Sequence, residues 1–115
     1  MSETRTDAGA ASFFDLYSQG KALPDDINDF IDRWHDTALA KDIPLHDYLG
    51  LSRDEYEVWL YDPLCLPQIL QARTSGRSLV EIMAERFETL RRANDPAHKT
   101  ILFSLGNWLH ARRKN

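Results

Sequence analysis

The sequence predicts an all-α protein: a small helical bundle with a trihelical, helix-turn-helix-like middle and a C-terminal αα-hairpin. Three observations carry that expectation. Apolar residues recur at spacings of three and four, the period of helices that bury one side. Helix-start residues stand immediately ahead of these stripes, namely Ser12, Pro24, Ser52, Ser78 and Asp95 with Pro96. No stretch of useful length alternates apolar and polar residues as a half-buried strand does.

The elements follow in order. Residues 1–11 are small and polar, have nothing to bury, and are expected to be disordered, leaving one helical domain over 12–115. Ser12 caps a short helix over residues 13–19, with Asp15 at its third position and Gly20 as its stop. The apolar Phe13, Phe14, Leu16 and Tyr17 of this segment should dock on the body of the domain or on a partner. Pro24 opens a longer helix as an N1 proline, with Asp25 and Asp26 favouring its positive end. Ile27, Phe30, Ile31, Trp34 and Ala38 form its buried stripe, and the helix should end near Ala40.

Pro44 then starts a short helix through Leu49, and Gly50 permits a left-handed turn. Ser52 and Glu55 fit a capping box for the next helix, expected to bury Tyr56, Trp59 and Leu60 and to stop at Asp62 and Pro63. A further short helix over 65–73 breaks at residues 74–76. Ser78 and Glu81 form a second capping box, and Leu79, Ile82, Met83, Arg86 or Phe87, and Leu90 trace a helix to about Ala93. Asp95 caps the last helix, which should bury Ile101, Leu102, Leu105, Trp108 and Leu109. Arg112, Arg113 and Lys114 oppose the dipole at its C-terminus. The final two helices, joined by a short connection, read as the antiparallel hairpin.

Bulk composition narrows the function classes. A chain of 115 residues with a single cysteine, Cys65, suits one domain in a reducing compartment. No apolar run approaches the roughly 20 residues that cross a bilayer, and residues 1–12 hold no apolar signal core, so the cytoplasm is expected and a membrane is not. Residues 1–62 hold fourteen acids and five Lys/Arg, whereas residues 63–115 hold four acids and nine Lys/Arg. Either the two halves neutralise each other in the fold, or they offer an acidic and a basic surface to different partners.

Chemistry is poorly served. His35, His46, His98 and His110 are far apart and lack helical metal-ligand spacing, and no second cysteine joins Cys65, so no metal or other cofactor is expected. Cys65 lies between Leu64 and Leu66, the setting of an inert core thiol. The serines sit at caps rather than in a glycine-framed elbow. No catalytic constellation is visible, and an enzyme is not expected.

The turn over Leu49–Gly50–Leu51–Ser52 outlines a helix-turn-helix, but its reading helix offers Arg53 against Asp54, Glu55, Glu57 and Asp62, a balance that phosphate repels. Residues 98–103, HKTILF, loosely resemble sliding-clamp peptides but lack the glutamine. Large rings are more suggestive, because Tyr and Trp anchor protein interfaces. Tyr48, Tyr56, Trp59 and Tyr61, with Arg112 and Arg113 of the basic end, are the candidate partner-binding residues.

The segment DDINDFIDRWH at residues 25–35, followed by LHDYLGLSRDEYEVW at 45–59 with Pro63 and Pro67, is similar to a group of small bacterial and prophage proteins of unsettled function. Their pattern reads DDIxDFIDxWH, then LHEYLG with EYxxW and PxxLPxI, and covers residues 25–73. Asp47 departs from it, standing where Glu is usual. Such proteins resemble members of toxin–antitoxin and mobile-element modules. The resemblance implies a regulator that masks or recruits another protein, and it implies no catalytic residue. A helix-turn-helix DNA regulator is the alternative, and a small nuclease-like toxin using a basic cleft near His98, His110 and Arg113 is another.

Overall fold

A computed structural model describes residues 11–36 and 42–113, with the side chain of Arg113 excepted. Among them are seven α-helices and no strand. They are α1 (Phe13–Ser18), α2 (Ile27–Asp36), α3 (Leu45–Leu49), α4 (Arg53–Tyr61), α5 (Leu66–Ser75), α6 (Leu79–Ala93) and α7 (Lys99–Arg113). Short 3-10 turns, Pro24–Asp26 and Pro96–His98, lead into α2 and α7. The protein is an all-α small helical bundle. The tail at residues 1–10 and the expected end of α2 near Ala40 lie outside the described residues. Contacts group the chain into two compact units, Met1–Arg53 and Asp54–Asn115.

The first unit is organised by aromatic rings. Ser12 Oγ accepts from the Asp15 amide at 3.2 Å, and Asp15 Oδ2 accepts from the Ser12 amide at 3.3 Å, so the capping box fixes the start of α1. That places Phe13 and Phe14 inward, both almost wholly buried. The Phe13 ring meets Phe30 of α2 edge-on, with centroids 5.6 Å apart, and Phe30 in turn lies 6.3 Å from Tyr48 of α3. The Arg33 guanidinium covers the Phe30 ring from 4.6 Å. Trp34 Nε1–H donates to the Ile43 carbonyl at 2.7 Å, tying α2 to the chain just before α3.

Gly50 ends α3 with φ 84°, the left-handed region that only glycine enters freely. A Cβ there would also run into the Ser12 side chain, 2.8 Å from its Cβ. The end of α3 therefore rests directly on the cap of α1, and the glycine is needed for both reasons.

In the second unit α6 is the central helix, packing against α5 on one side and α7 on the other. The Ser78–Glu81 capping box starts it: Ser78 Oγ accepts from the Glu81 amide at 3.1 Å, and Glu81 Oε1 accepts from the Ser78 amide at 3.3 Å. Asn94 stops it in the left-handed region at φ 51°, and Asp95 Oδ1 accepts from the Ala97 amide at 2.9 Å to begin the return. This is the expected αα-hairpin. Its core holds Val58, Cys65, Leu66, Ile69, Ile82, Met83, Leu105, Trp108 and Leu109.

The orientation of α4 differs from the sequence expectation. Tyr56 and Trp59 are only half-buried and Leu60 is 52% exposed, whereas Val58 is fully buried and flanked inward by Glu55 and Asp62. The inner stripe of α4 and of the residue just after it is thus Glu55, Val58, Asp62, spaced three and four. Arginines from neighbouring helices bind these carboxylates, which allows charged residues to face inward.

Gly50→Ala should destabilise the chain by about 3 kcal/mol, combining the left-handed penalty with the collision on Ser12. Gly20, also left-handed at φ 77° but with no atom within 4 Å of a Cβ, is the matched control, and Gly20→Ala should lose about 1 kcal/mol. Urea denaturation of both variants checks the difference; equal losses would mean the Ser12 contact contributes nothing.

Candidate docking groove on the helical hairpin

The basic surplus read along the C-terminal half is largely met by the carboxylates of residues 54–62. All four carboxylates of residues 54–62 are bound by arginines of the C-terminal half. Glu55 accepts from Arg73 of α5, Oε2 from Nε at 2.9 Å and Oε1 from Nη2 at 2.5 Å. Asp62, fully buried, accepts from Arg86 of α6 at 2.6 Å and 3.2 Å, and its Oδ1 also accepts from the Leu64 amide at 3.3 Å. Arg112 of α7 donates to Asp54 at 2.6 Å and to Glu57 at 3.0 Å while its guanidinium lies 4.6 Å over the Trp108 ring. Trp108 Nε1–H donates to the same Glu57 oxygen at 3.2 Å. Residues 54–115 hold eight acids and nine Lys/Arg, so they are close to neutral. The acidity stays with residues 1–53, which hold ten acids and five Lys/Arg.

The six candidate partner-binding residues lie on three helices: Tyr48 on α3, Tyr56, Trp59 and Tyr61 on α4, and Arg112 and Arg113 on α7. Tyr48 is half-buried against Phe30. Tyr56 and Trp59 stack with centroids 6.0 Å apart on the half-buried side of α4, and Tyr61 is half-buried at its end. Arg112 is held in the internal network just described. The Arg113 side chain lies outside the described residues. Of the six, Tyr56 and Trp59 are in mutual contact.

A different surface is more suggestive. An open groove of about 770 Å³ runs between α6 and α7. Its floor is Ala84 and Phe87 from α6 with Gly106 and Leu109 from α7. Gly106 is what lets the floor form: a Cβ at that position would stand 3.2 Å from Phe87 Cε1, so the Phe87 ring occupies the space a side chain would need. The rim carries Glu85, Glu88, Arg92 and His110. Both rim glutamates are ion-paired: Glu85 is bound by Arg77, which holds its carboxyl below the usual range, and Glu88 is bound by Arg91 at 2.6 Å and 3.0 Å. Arg92 and His110 make no ion pair or hydrogen bond among the described residues. Phe103, 72% exposed, stands three residues before Gly106 and seven before His110, so helix geometry sets it on the same stripe of α7.

Sequence reasoning missed this surface. The outward stripe of Phe103, Gly106 and His110 was readable as a second period-3.6 line, but the Phe87–Gly106 contact was not, since it joins residues nineteen apart. His110 lines the groove and His98 does not; His98 sits in the 3-10 turn with its Nδ1 buried and unpartnered. Among the described residues no three His, Cys, Asp or Glu are grouped so as to hold a metal ion. No described helix is long and apolar enough to cross a membrane. Cys65 is fully buried, and burial first, then the neighbouring Asp62 charge, push its thiol up from 9.0 to about 12.

Two predictions follow from these polar contacts. Asp62→Asn should destabilise by about 3 kcal/mol by leaving Arg86 without its buried counter-charge, while the double variant Asp62→Leu/Arg86→Met should be far closer to wild type than the summed single changes. Denaturant titration of the four-member cycle reads the coupling; additive losses would show that the pair does not act as a unit. For Cys65, the thiol is protonated in both states below pH 9.0. Between 9.0 and about 12 the unfolded chain ionises and the folded chain does not, so stability should fall with rising pH across that window. Cys65→Ala should lack that part of the slope, and the native thiol should resist a thiol reagent at pH 8 until the chain is unfolded.

No family model matches the chain, and comparison with curated proteins and with solved structures finds no match either.

Proposed function

We propose that this chain is a small protein-binding regulator of the toxin–antitoxin or phage type, acting in the cytoplasm by masking or recruiting a partner protein through the α6–α7 groove. The observation that carries the reading is the groove with its apolar floor, together with the exposed ring of Phe103 on the same stripe of α7. Contiguous exposed apolar surface with a charged rim marks interaction sites in proteins of this size. The internal pairing of Arg73, Arg86 and Arg112 supports a protein partner over a nucleic acid. It removes three cations from the basic half and leaves residues 54–115 without a strong positive field. The resemblance over residues 25–73 points to the same class of protein.

Capture of partners from a lysate of the native host by the tagged full chain, wild type against Phe103→Asp, tests the reading. Phe103 is exposed, so circular dichroism should show the variant folded. The wild type should retain a stoichiometric protein and the variant should lose most of it. Identical retention by both, or no protein retained by either, would reject the groove as the binding site. Nucleic acid alone in the bound fraction would favour a DNA regulator instead.

A further inference from the structure

We infer that the α6–α7 groove receives a short acidic amphipathic helix of the partner protein. The inference rests on the protein-binding reading and specifies its ligand. Shape is the first argument. A trough between two antiparallel helices is the seat of a third helix, whose apolar ridge lies in the depression between them. On α6 the groove extends from Ala84 to Arg92, about 12 Å at 1.5 Å per residue, which matches two to three turns. Phe103 extends the apolar line beyond the floor and offers an exposed ring against the side of such a helix.

Charge decides the class of helix. The two carboxylates on the rim are each bound by an arginine of this chain, Glu85 by Arg77 and Glu88 by Arg91. Each therefore attracts a cationic ligand less than a bare carboxylate would. Arg92 and His110 remain without a partner among the described residues and line the same groove. The electrostatic complement of that rim is a carboxylate. A lysine-rich helix would meet Arg92 with like charge, which is penalised at an interface. A helix with apolar residues at i, i+3 or i+4 and i+7, and Asp or Glu beside them, satisfies floor and rim together.

Selection of a displayed library of helical peptides, randomised on one face, against the full-length chain tests this directly. Selected peptides should be enriched in Asp and Glu beside an i, i+3/i+4, i+7 apolar line. Their affinity should fall about tenfold for Arg92→Glu and for Phe103→Ala, in line with the loss of one charge contact or one aromatic anchor. Arg92 is exposed and Phe103 is exposed, so unchanged melting curves will separate lost binding from lost folding. Basic or neutral selected peptides, or acidic ones whose binding survives both substitutions, would overturn the inference. So would a library that yields no binder, or sedimentation showing that a second copy of the chain fills the groove. Phe103-dependent retention of a partner from lysate, alongside any of these failures, would leave the protein-binding reading standing and remove only the acidic helix. Loss of both would remove the reading itself.

Discussion

The inward stripe of α4 is charged, and the second unit depends on how that charge is met. Glu55 and Asp62 flank the fully buried Val58, and a carboxylate withdrawn from water is tolerated only when donors replace its hydration. Asp62 receives three donors, two from Arg86 and one from the Leu64 amide. Because the bound arginines come from α5, α6 and α7 in turn, α4 is oriented against each neighbour by a directional contact. Turning it by one residue rotates its side chains by about 100° and takes Glu55 and Asp62 away from Arg73 and Arg86. Apolar burial drives the helices together without specifying that angle, and the ion pairs specify it.

Much of the fold is legible in the sequence because helix ends are local. Ser12 with Asp15, Ser78 with Glu81 and the turn at Gly50 declare themselves within four residues and appear where the sequence sets them, while Pro24 and Asp95 open 3-10 turns that lead into α2 and α7 three residues later. The facing of α4 was not legible. Periodicity analysis takes apolar residues as inward, and Tyr56, Trp59 and Leu60 make a plausible stripe. What overrides it are contacts with residues 18, 24 and 55 positions away, Arg73, Arg86 and Arg112. The groove was hidden for the same reason. Gly106 looks like a weak point in a helix until Phe87 is known to lie beside it.

The same pairing reshapes the surface. Read along the chain, the C-terminal half has a surplus of cations suited to phosphate. In the fold, Arg73, Arg86 and Arg112 bind the carboxylates of α4, and Arg77 and Arg91 bind glutamates on α6. Arg92 and Lys99 are what remain of that surplus among the described side chains. The first unit runs the other way. Asp25, Asp29, Asp32 and Asp36 lie exposed along the approach to α2 and on the helix itself, with no ion-pair partner among the described residues. Sequence charge predicts a surface only after internal pairs are subtracted.

The hairpin departs from what stability alone would select at two places, and both lie on one stripe of α7. A glycine inside a helix is worse than alanine by about 1 kcal/mol, yet Gly106 sits in the middle of a fifteen-residue helix. Phe103 leaves most of a large ring in water, forgoing a burial worth roughly 1.5–3 kcal/mol. Packing accounts for part of the first, because Phe87 fills the space beside Gly106. Nothing in the packing of the hairpin accounts for the second. Local departures from an otherwise consistent sequence–structure match concentrate where a protein does something besides fold. An exposed ring on the helix that lines a glycine-floored groove, with an arginine on the rim that has no partner among the described residues, has that character. The internal network of α4 does not use Phe103, so that ring can be presented without disturbing the ion pairs that orient α4.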